Sequence, residues 1–173
     1  MRRIALAACI VAVSAPSFAD WFARLDESGK LQVTAIAQDP DDVLSAFYID
    51  CGSSKGTLKL VIETRQNSNG SDEYHPTQID IAVNRLGAEK NDEFSVHALP
   101  LTTPTHILAY RSELDEVQSL TWINAMLQSH RIDFQFRSDE LIHEEDPKRI
   151  FNSGSLRTGL ALADACGIEA KAQ

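Results

Sequence analysis

The sequence predicts an α+β fold, in which a single domain consists mainly of an antiparallel β-sheet with one internal helix and one C-terminal helix. Five segments alternate apolar and polar residues with a period of two, which is typical of strands buried on one face only. Two later segments repeat apolar residues at helical spacing. A pair of cysteines is predicted to pin the last helix to the sheet. We expect the sheet to be sandwich-like or strongly curved.

Residues 1–19 have the order of a cleavable secretory signal peptide. Arg2 and Arg3 precede the apolar stretch Ile4–Val13, and the small-residue pattern ends at Ala19. This stretch is too short for a membrane-spanning helix, which needs about 20 apolar residues. We therefore predict cleavage between Ala19 and Asp20, a mature domain of residues 20–173, and a periplasmic or secreted location.

A second cleavage site is the alternative at this end of the chain. Leu6–Cys9 matches the lipobox at which bacterial lipoproteins are cut and lipidated on cysteine. Only Ile4 and Ala5 separate that box from the arginines, so cleavage there leaves almost no apolar region before the cut. Cleavage after Ala19 is the prediction that we retain.

The strands are predicted from the alternating segments, taken in chain order. Each places apolar residues on one face and polar residues such as Asp80, Asp133 and Gln135 on the other. The regular segments are Leu31–Ala35, Leu58–Ile62, Ile79–Val83, Phe94–Ala98 and Ile132–Phe136, and the less regular ones are Val43–Ile49 and His106–Arg111. Gly52–Gly56 is predicted to be a hairpin turn rather than a phosphate-binding loop, because it lacks the terminal Gly-Lys-Ser/Thr.

Two helices follow from apolar residues at helical spacing. We predict that the first begins at Ser119 as N-cap and buries Leu120, Ile123, Met126 and Leu127, with Trp122 at the margin of this stripe. The second lies near the C-terminus and is predicted to bury Leu156, Leu160 and Ala163, with Cys166 beside them. Gly167 is a natural end for this helix.

The chain has 3 cysteines, of which Cys9 leaves with the signal peptide. Cys51 and Cys166 remain, and an even pair in an exported chain is typical of a disulfide. The alternatives are a free nucleophile and a metal-binding pair. A nucleophile requires a nearby base and a structural metal requires four closely spaced ligands, and neither is present next to these cysteines in the sequence.

The composition is strongly acidic. The full chain has a formal net charge of −9, and loss of Arg2 and Arg3 leaves 14 basic against 25 acidic residues. Such a surface repels nucleic acid and anionic lipid headgroups, and it attracts basic proteins, cationic peptides and divalent cations. Solubility is the simpler explanation of the same charge. No segment after the signal peptide has the length of a membrane span, so the mature form is expected to have none; the oligomeric state is left open.

No catalytic, cofactor or metal site is predicted. The acidic run 139–146 and Asp39–Asp42 contain suitable calcium or zinc ligands, but they lack the spacing of a known loop, and we expect solvated connections. The histidines are isolated, with no metal-hydrolase spacing, at positions 75, 97, 106, 130 and 143. No serine lies in a nucleophile elbow or a Ser-x-x-Lys box.

The C-terminal segment resembles a family of small periplasmic proteins. Phe151–Leu156, Gly159-Leu160 and Ala165–Gly167 are similar to the ends of accessory proteins of the TagO/VasI type, which are associated with type VI secretion, and of invasion-associated locus B proteins of alphaproteobacteria. Ser155 departs from the glycine usual at its position, and the leucine-to-cysteine spacing is one residue shorter.

The resemblance implies a non-enzymatic envelope protein with one disulfide, and it carries over only the half-cystines Cys51 and Cys166. We therefore expect an exported binding or accessory protein of the cell envelope, with a role in a secretion system as one form of this function. The first alternative is an inhibitor or sequestering protein for a cationic target such as a lysozyme-like hydrolase or an antimicrobial peptide. The second is a hydrolase with a dispersed site, whose mark is three ionisable side chains converging in a pocket.

Overall fold

The computed structural model describes residues 21–25, 29–38, 44–70, 74–85, 92–137, 148–151 and 155–170. These residues form nine strands and two helices. The strands are β1 (Trp21–Leu25), β2 (Leu31–Gln38), β3 (Leu44–Cys51), β4 (Leu58–Asn67), β5 (Thr77–Arg85), β6 (Asp92–Thr102), β7 (Ile107–Leu114), β8 (Ser129–Arg137) and β9 (Lys148–Phe151). The helices are α1 (Glu116–Gln128) and α2 (Ser155–Cys166).

All neighbouring strands pair antiparallel in one sheet with the order β1-β2-β3-β4-β7-β6-β5-β8-β9. The sheet curls so far that β9 reaches β2, where Gln38 pairs with Arg149. The predicted α+β class and the strongly curved antiparallel sheet are therefore confirmed.

The alternation in the sequence sets the inner face of this sheet. Buried side chains come from every second position, as at Leu58, Leu60 and Ile62 of β4, and the residues between them are only partly buried. The same period places Ile79, Ile81 and Val83 of β5, as well as Ile132, Phe134 and Phe136 of β8, in one core. A strand buried on one face requires this period of two, because successive side chains point to opposite faces.

Both helices lie at one end of the curled sheet. Cys51 pairs with Leu58, and Leu58 pairs with Leu114, so β3 and β7 end at the same level. Helix α1 starts just after β7 and leads into β8, whereas α2 returns to the end of β3 through the Cys51–Cys166 disulfide. The predicted disulfide is confirmed, with a sequence separation of 115 and a Cα–Cα distance of 5.1 Å. Cys51 is the last residue of β3.

The start of α1 was wrongly predicted at Ser119. The N-cap is Asp115, whose Oδ1 accepts from the Gln118 amide at 2.8 Å, while Gln118 Oε1 accepts in turn from the Asp115 amide at 3.2 Å. This reciprocal pair is a capping box. Ser119 is instead buried inside the helix, where its Oγ accepts from the Leu58 amide at 2.9 Å and donates to the Leu114 carbonyl. The hydroxyl thus joins the helix to β4.

The buried faces of the helices agree only in part with the predicted ones. In α1, Ile123 and Met126 are buried as predicted. Trp122, predicted at the margin, is fully buried, while Leu120 is 37% exposed. In α2, Leu156 and Leu160 are exposed, and the buried positions are Ser155, Gly159, Leu162, Ala163 and Cys166. Only Ala163 and Cys166 of the predicted set are buried there.

Gly159 explains why α2 turns this face inward. A Cβ at position 159 would lie 3.1 Å from Met126 Cβ and 3.2 Å from Leu127 Cδ2, so the absent side chain lets α2 approach α1 closely. Ser155 Oγ donates to the Met126 carbonyl in the same contact. The two helices therefore meet through small residues of α2 rather than through its leucines.

Helix α2 is terminated by Gly167, as predicted. Its φ of +68° lies in the left-handed region that glycine adopts without strain. The Gly167 amide donates to the Asp164 carbonyl, and the Ile168 amide donates to the Ala163 carbonyl. This is the Schellman arrangement. The predicted hairpin turn at Gly52–Gly56 is also present, and the Gly52 amide donates to the Thr57 carbonyl at 2.8 Å.

Two strands were not predicted, β1 and β9. In β9, Lys148 occupies an inward position that alternation assigns to an apolar residue, and it is only 1% exposed. Its Nζ donates to Ser45 Oγ of β3 at 2.9 Å. Charged residues of this kind are buried only when they have partners.

The strand predicted to begin at His106 starts one residue later, as β7. The backbone of His106 has a φ of 60°, which is not an extended conformation.

Candidate functional site

The outer face of the sheet carries a groove of about 360 Å³ over β6, β5 and β8. It is formed by side chains that alternate with the core residues and therefore point away from the core. The polar side chains that line it are Asp80, Glu93, Ser95, Asp133, Gln135 and Arg137. Three carboxylates and one guanidinium thus share one groove.

The strand register brings these side chains together. On β5, Asp80 lies between Ser95 of β6 and Gln135 of β8, and Ala82 lies between Glu93 and Asp133. Directly opposite residues in an antiparallel pair have Cβ atoms about 5 Å apart. Because alanine fills little space, the central position of the row Glu93–Ala82–Asp133 leaves room between two acidic side chains.

Asp80 is held by three donors. Its Oδ1 accepts from Gln78 Nε2 at 2.8 Å and from Ser95 Oγ at 2.7 Å, and its Oδ2 accepts from Arg137 Nε at 2.6 Å. The hydrogen bond from Gln78, followed by those from Ser95 and Arg137, lowers the pKa of Asp80 from 3.8 to about 2. Hydrogen bonds to a carboxylate favour its charged form. Asp80 is therefore ionised throughout the physiological pH range.

Asp133 is more deeply enclosed. Its Oδ2 accepts from Asn84 Nδ2 at 2.8 Å and from Arg131 Nε at 3.1 Å. Its Oδ1 is buried and has no hydrogen-bond partner among the described residues. Glu93 is exposed, and no described residue forms an ion pair or a side-chain hydrogen bond with it. The carboxylate most accessible to an incoming cation is therefore that of Glu93.

We predict that Asp80→Asn destabilises the fold slightly at neutral pH and that the difference disappears in acid. A carboxyl whose pKa is depressed in the folded state contributes stability above its unfolded pKa, and this contribution is lost as the pH falls through the folded value. For Asp80 the contribution is present above the ordinary pKa of 3.8 and is lost as the pH falls to about 2. The site is solvent-accessible, so we expect less than about 1 kcal/mol.

Denaturant unfolding of the wild type and of Asp80→Asn, at neutral pH and across this acidic window, measures the effect. Glu93→Gln is the control, because it removes a groove carboxylate that has no donor among the described residues. A constant difference between wild type and Asp80→Asn down to the lowest pH would contradict the assignment.

The site offers poor support for acid catalysis. A general acid needs a pKa raised toward the working pH, whereas the pKa of Asp80 is lowered. Three ionisable side chains do converge in the groove, as a dispersed hydrolase site requires, but Asp133 and Asp80 already accept hydrogen bonds from neighbouring arginines. In the described part of the chain, no group of three or more His, Cys, Asp or Glu side chains is arranged to hold a metal ion.

The three histidines whose side chains the structure describes do not form a common site. His75, His97 and His106 are exposed on separate segments, on the loop before β5, on β6 and on the turn before β7. Several predictions lie outside the described residues: the signal peptide, the cleavage site at Ala19 and Asp20, Cys9, the acidic run 139–146, Asp39–Asp42 and His143.

The groove residues were only partly visible in the sequence. Asp80, Asp133 and Gln135 were recognised as polar residues facing away from the core, but β5 and β8 are separated by about fifty residues of chain, and their pairing is not encoded in local alternation. Glu93 and Arg137 carried no signal beyond their position at strand ends.

No helix in the described residues has the length and apolar character needed to cross a membrane. No protein-family model, curated protein or solved structure matches the chain.

Proposed function

We propose that this chain is an exported, non-enzymatic binding protein of the bacterial cell envelope, and that its groove over β6, β5 and β8 receives a cationic segment of a protein or peptide. The observation that carries the proposal is the set of three carboxylates in one groove. Asp80 and Asp133 are paired with Arg137 and Arg131, and Glu93 has no ion-pair partner among the described residues, so it is the open acceptor. An ionised carboxylate row attracts ammonium and guanidinium groups.

Arg137 supports this choice of ligand chemistry. Its guanidinium already forms a 2.6 Å contact with Asp80 at the edge of the groove. Arginine pairs well with carboxylates because its planar fork presents several donors. A partner's arginine or lysine would find the same acceptor chemistry at Glu93, which has no partner of its own among the described residues.

The proposed location rests on two observations. Residues 1–19 have the pattern of a secretory signal, and Cys51 and Cys166 are joined by a disulfide. Disulfides persist in oxidising compartments such as the bacterial periplasm and are rare in the cytosol. An accessory role in a secretion system, suggested by the resemblance of the C-terminal segment, is one form of this proposal.

A sequestering protein for a cationic target is the second candidate, and the acidic groove favours it specifically. The two candidates differ in salt dependence. Capture of a cationic hydrolase or antimicrobial peptide by charge alone weakens steeply as salt rises, because exposed charges are screened within about 8 Å at physiological ionic strength. A specific envelope partner with an apolar contact retains more of its affinity. A hydrolase is not proposed, because Asp80 and Asp133 already accept hydrogen bonds from Arg137 and Arg131.

The test measures binding of a tetra-arginine peptide to the oxidised mature protein. Isothermal titration calorimetry gives the affinity at low salt and at about 0.3 M salt. We expect binding at low salt that Glu93→Gln weakens several-fold. Glu169→Gln is the matched control, since it removes the same charge from an exposed position outside the groove. Its effect should be much smaller.

Equal losses in the two variants would mean that the peptide senses only the overall charge of the protein, and the groove would be rejected as the site. No binding at low salt would reject the cationic ligand itself. Affinity capture from periplasmic extract with wild type and Glu93→Gln then identifies the natural partner as the protein enriched by the wild type alone.

A further inference from the structure

The outward face of α2 carries an exposed stripe of four residues, Arg157, Leu160, Ala161 and Asp164. Their spacing of three, four and seven residues places them on one side of the helix. This side is opposite the buried positions Ser155, Gly159, Leu162 and Cys166. Leu160, a large apolar residue, is 42% exposed on this side.

We propose that this stripe is the contact surface of a two-fold symmetric homodimer, in which α2 packs antiparallel against α2 of a second copy about an axis between Leu160 and Ala161. A two-fold interface uses the same patch on both copies, so the patch must be complementary to itself. The stripe on α2 meets this condition in charge and in apolar character.

The charge complementarity follows from the position of the axis. In the antiparallel arrangement, Arg157 faces Asp164 of the partner subunit, and the symmetric contact repeats this pair on the other side of the axis. Within one copy these two residues are seven positions apart, about 10 Å along the helix, too far for an ion pair. In the described part of the chain, neither of them has another ion-pair or side-chain hydrogen-bond partner. The second copy supplies the missing partner for both.

The apolar contact involves the leucines beside the charges. With 3.6 residues per turn, Leu156 and Leu160 lie on one flank of the stripe, and Ala161 lies on the other. A two-fold axis between antiparallel helices keeps each residue on its own flank, so Leu160 contacts Leu160 of the partner subunit. Leu156, which is 52% exposed, extends this row by one turn in each copy. The contact therefore removes the exposed leucines of both copies from water.

A second copy is the occupant that the charges favour. The chain has a net charge of −9, so most pairs of surfaces on two copies repel each other. The stripe contains one positive and one negative residue and carries no net charge, so it can approach itself. One helix per copy buries less than a standard interface of about 1,600 Å², so we expect a weak, concentration-dependent dimer. None of the groove-lining residues belongs to α2, so the dimer presents two grooves.

The test is sedimentation equilibrium of the oxidised mature protein between about 5 and about 500 µM, a range that brackets weak association. We expect a reversible monomer–dimer equilibrium in the wild type. Arg157→Asp and Asp164→Arg should each weaken dimerisation at least tenfold, because each creates a like-charge pair across the axis. The double variant Arg157→Asp/Asp164→Arg should restore the dimer, since it re-forms both pairs with reversed signs.

Glu169→Arg is the matched control for Asp164→Arg. It changes the net charge by the same amount at an exposed residue beyond the end of α2, and it should leave the dimer intact. All three substituted positions are exposed, and thermal unfolding by circular dichroism confirms that each of the four variants is folded. A wild type that stays monomeric at every concentration overturns the proposal. Failure of the double variant to restore the dimer, when both single variants abolish it, overturns the antiparallel geometry.

Discussion

Replacing both Cys51 and Cys166 by alanine is expected to lower the free energy of unfolding by about 4 to 5 kcal/mol. The bond spans 115 residues, and a crosslink across a loop of this length restricts the unfolded chain by roughly that amount on the chain-entropy model. It also ties the last residue of α2 to the end of β3, where the Gly56 amide donates to the Cys166 carbonyl at 2.9 Å. A loss of this size is a large part of the stability of a typical domain.

Urea unfolding of the wild type and the double alanine variant, each with and without a thiol reductant, measures this loss. The reductant should destabilise the wild type by nearly the same amount and leave the variant unchanged. An oxidised wild type with the same midpoint as the variant would show that strain in the native state cancels the effect of the crosslink.

Trp122→Ala is expected to lower the free energy of unfolding by about 3 to 5 kcal/mol, the usual range for removing a buried tryptophan. Trp122 is fully buried in α1, and its ring lies parallel to that of Phe47 in β3, with centroids 5.3 Å apart. Phe47 also contacts Phe134 of β8, at 5.5 Å between centroids. The indole thus fills the space between α1 and two separate parts of the sheet, and alanine would leave a cavity that a curled sheet cannot close.

Trp122→Phe is the informative companion variant. The buried Nε1 of Trp122 has no hydrogen-bond partner among the described residues, so phenylalanine removes no hydrogen bond and retains an aromatic ring against Phe47. We expect a loss of less than about half of that caused by alanine, since the change in volume is smaller. Equal losses in the two variants would indicate that the indole nitrogen is essential, and that it bonds to a group outside the described residues.

The strands illustrate how far local sequence determines this fold. Alternation predicted the regular strands because each of them is buried on one face only, and the structure places those faces in a common core. The same rule missed β9, because the inward position of Lys148 is satisfied by Ser45 on a distant strand. A polar residue at an inward position interrupts the apolar alternation, so the strand is not predicted when the partner of that residue lies elsewhere in the chain.

In helix α2, apolar spacing predicted the wrong buried face. Apolar spacing predicted that Leu156 and Leu160 are buried, because large apolar side chains usually face a core. The structure buries Gly159 instead, because close contact with Met126 and Leu127 of α1 requires the smallest residue at that point. Which side of a helix faces inward was decided by the neighbouring helix, and the exposed leucines became the surface proposed for dimerisation.

The acidic groove depends on tertiary structure in the same way. Asp80 and Asp133 could be assigned to the outer face of their strands from alternation alone. Their proximity results from the pairing of β5 with β8, and the space between the acidic side chains results from Ala82. The lowered pKa of Asp80 requires Gln78, Ser95 and Arg137, which come from three different strands.

The sequence alone determined the class of the fold, the inner face of most strands, the end of α2 at Gly167 and the pairing of Cys51 with Cys166. These features depend on the side-chain period of a strand, on the backbone freedom of glycine and on the number of cysteines, all of which are local or countable. Only the tertiary structure decided the strand order, the buried face of α2, the central burial of Trp122 and the residues that form the groove. They depend on contacts between segments far apart in the chain. The effect of a residue's size or charge on these features depends on which distant residue it contacts.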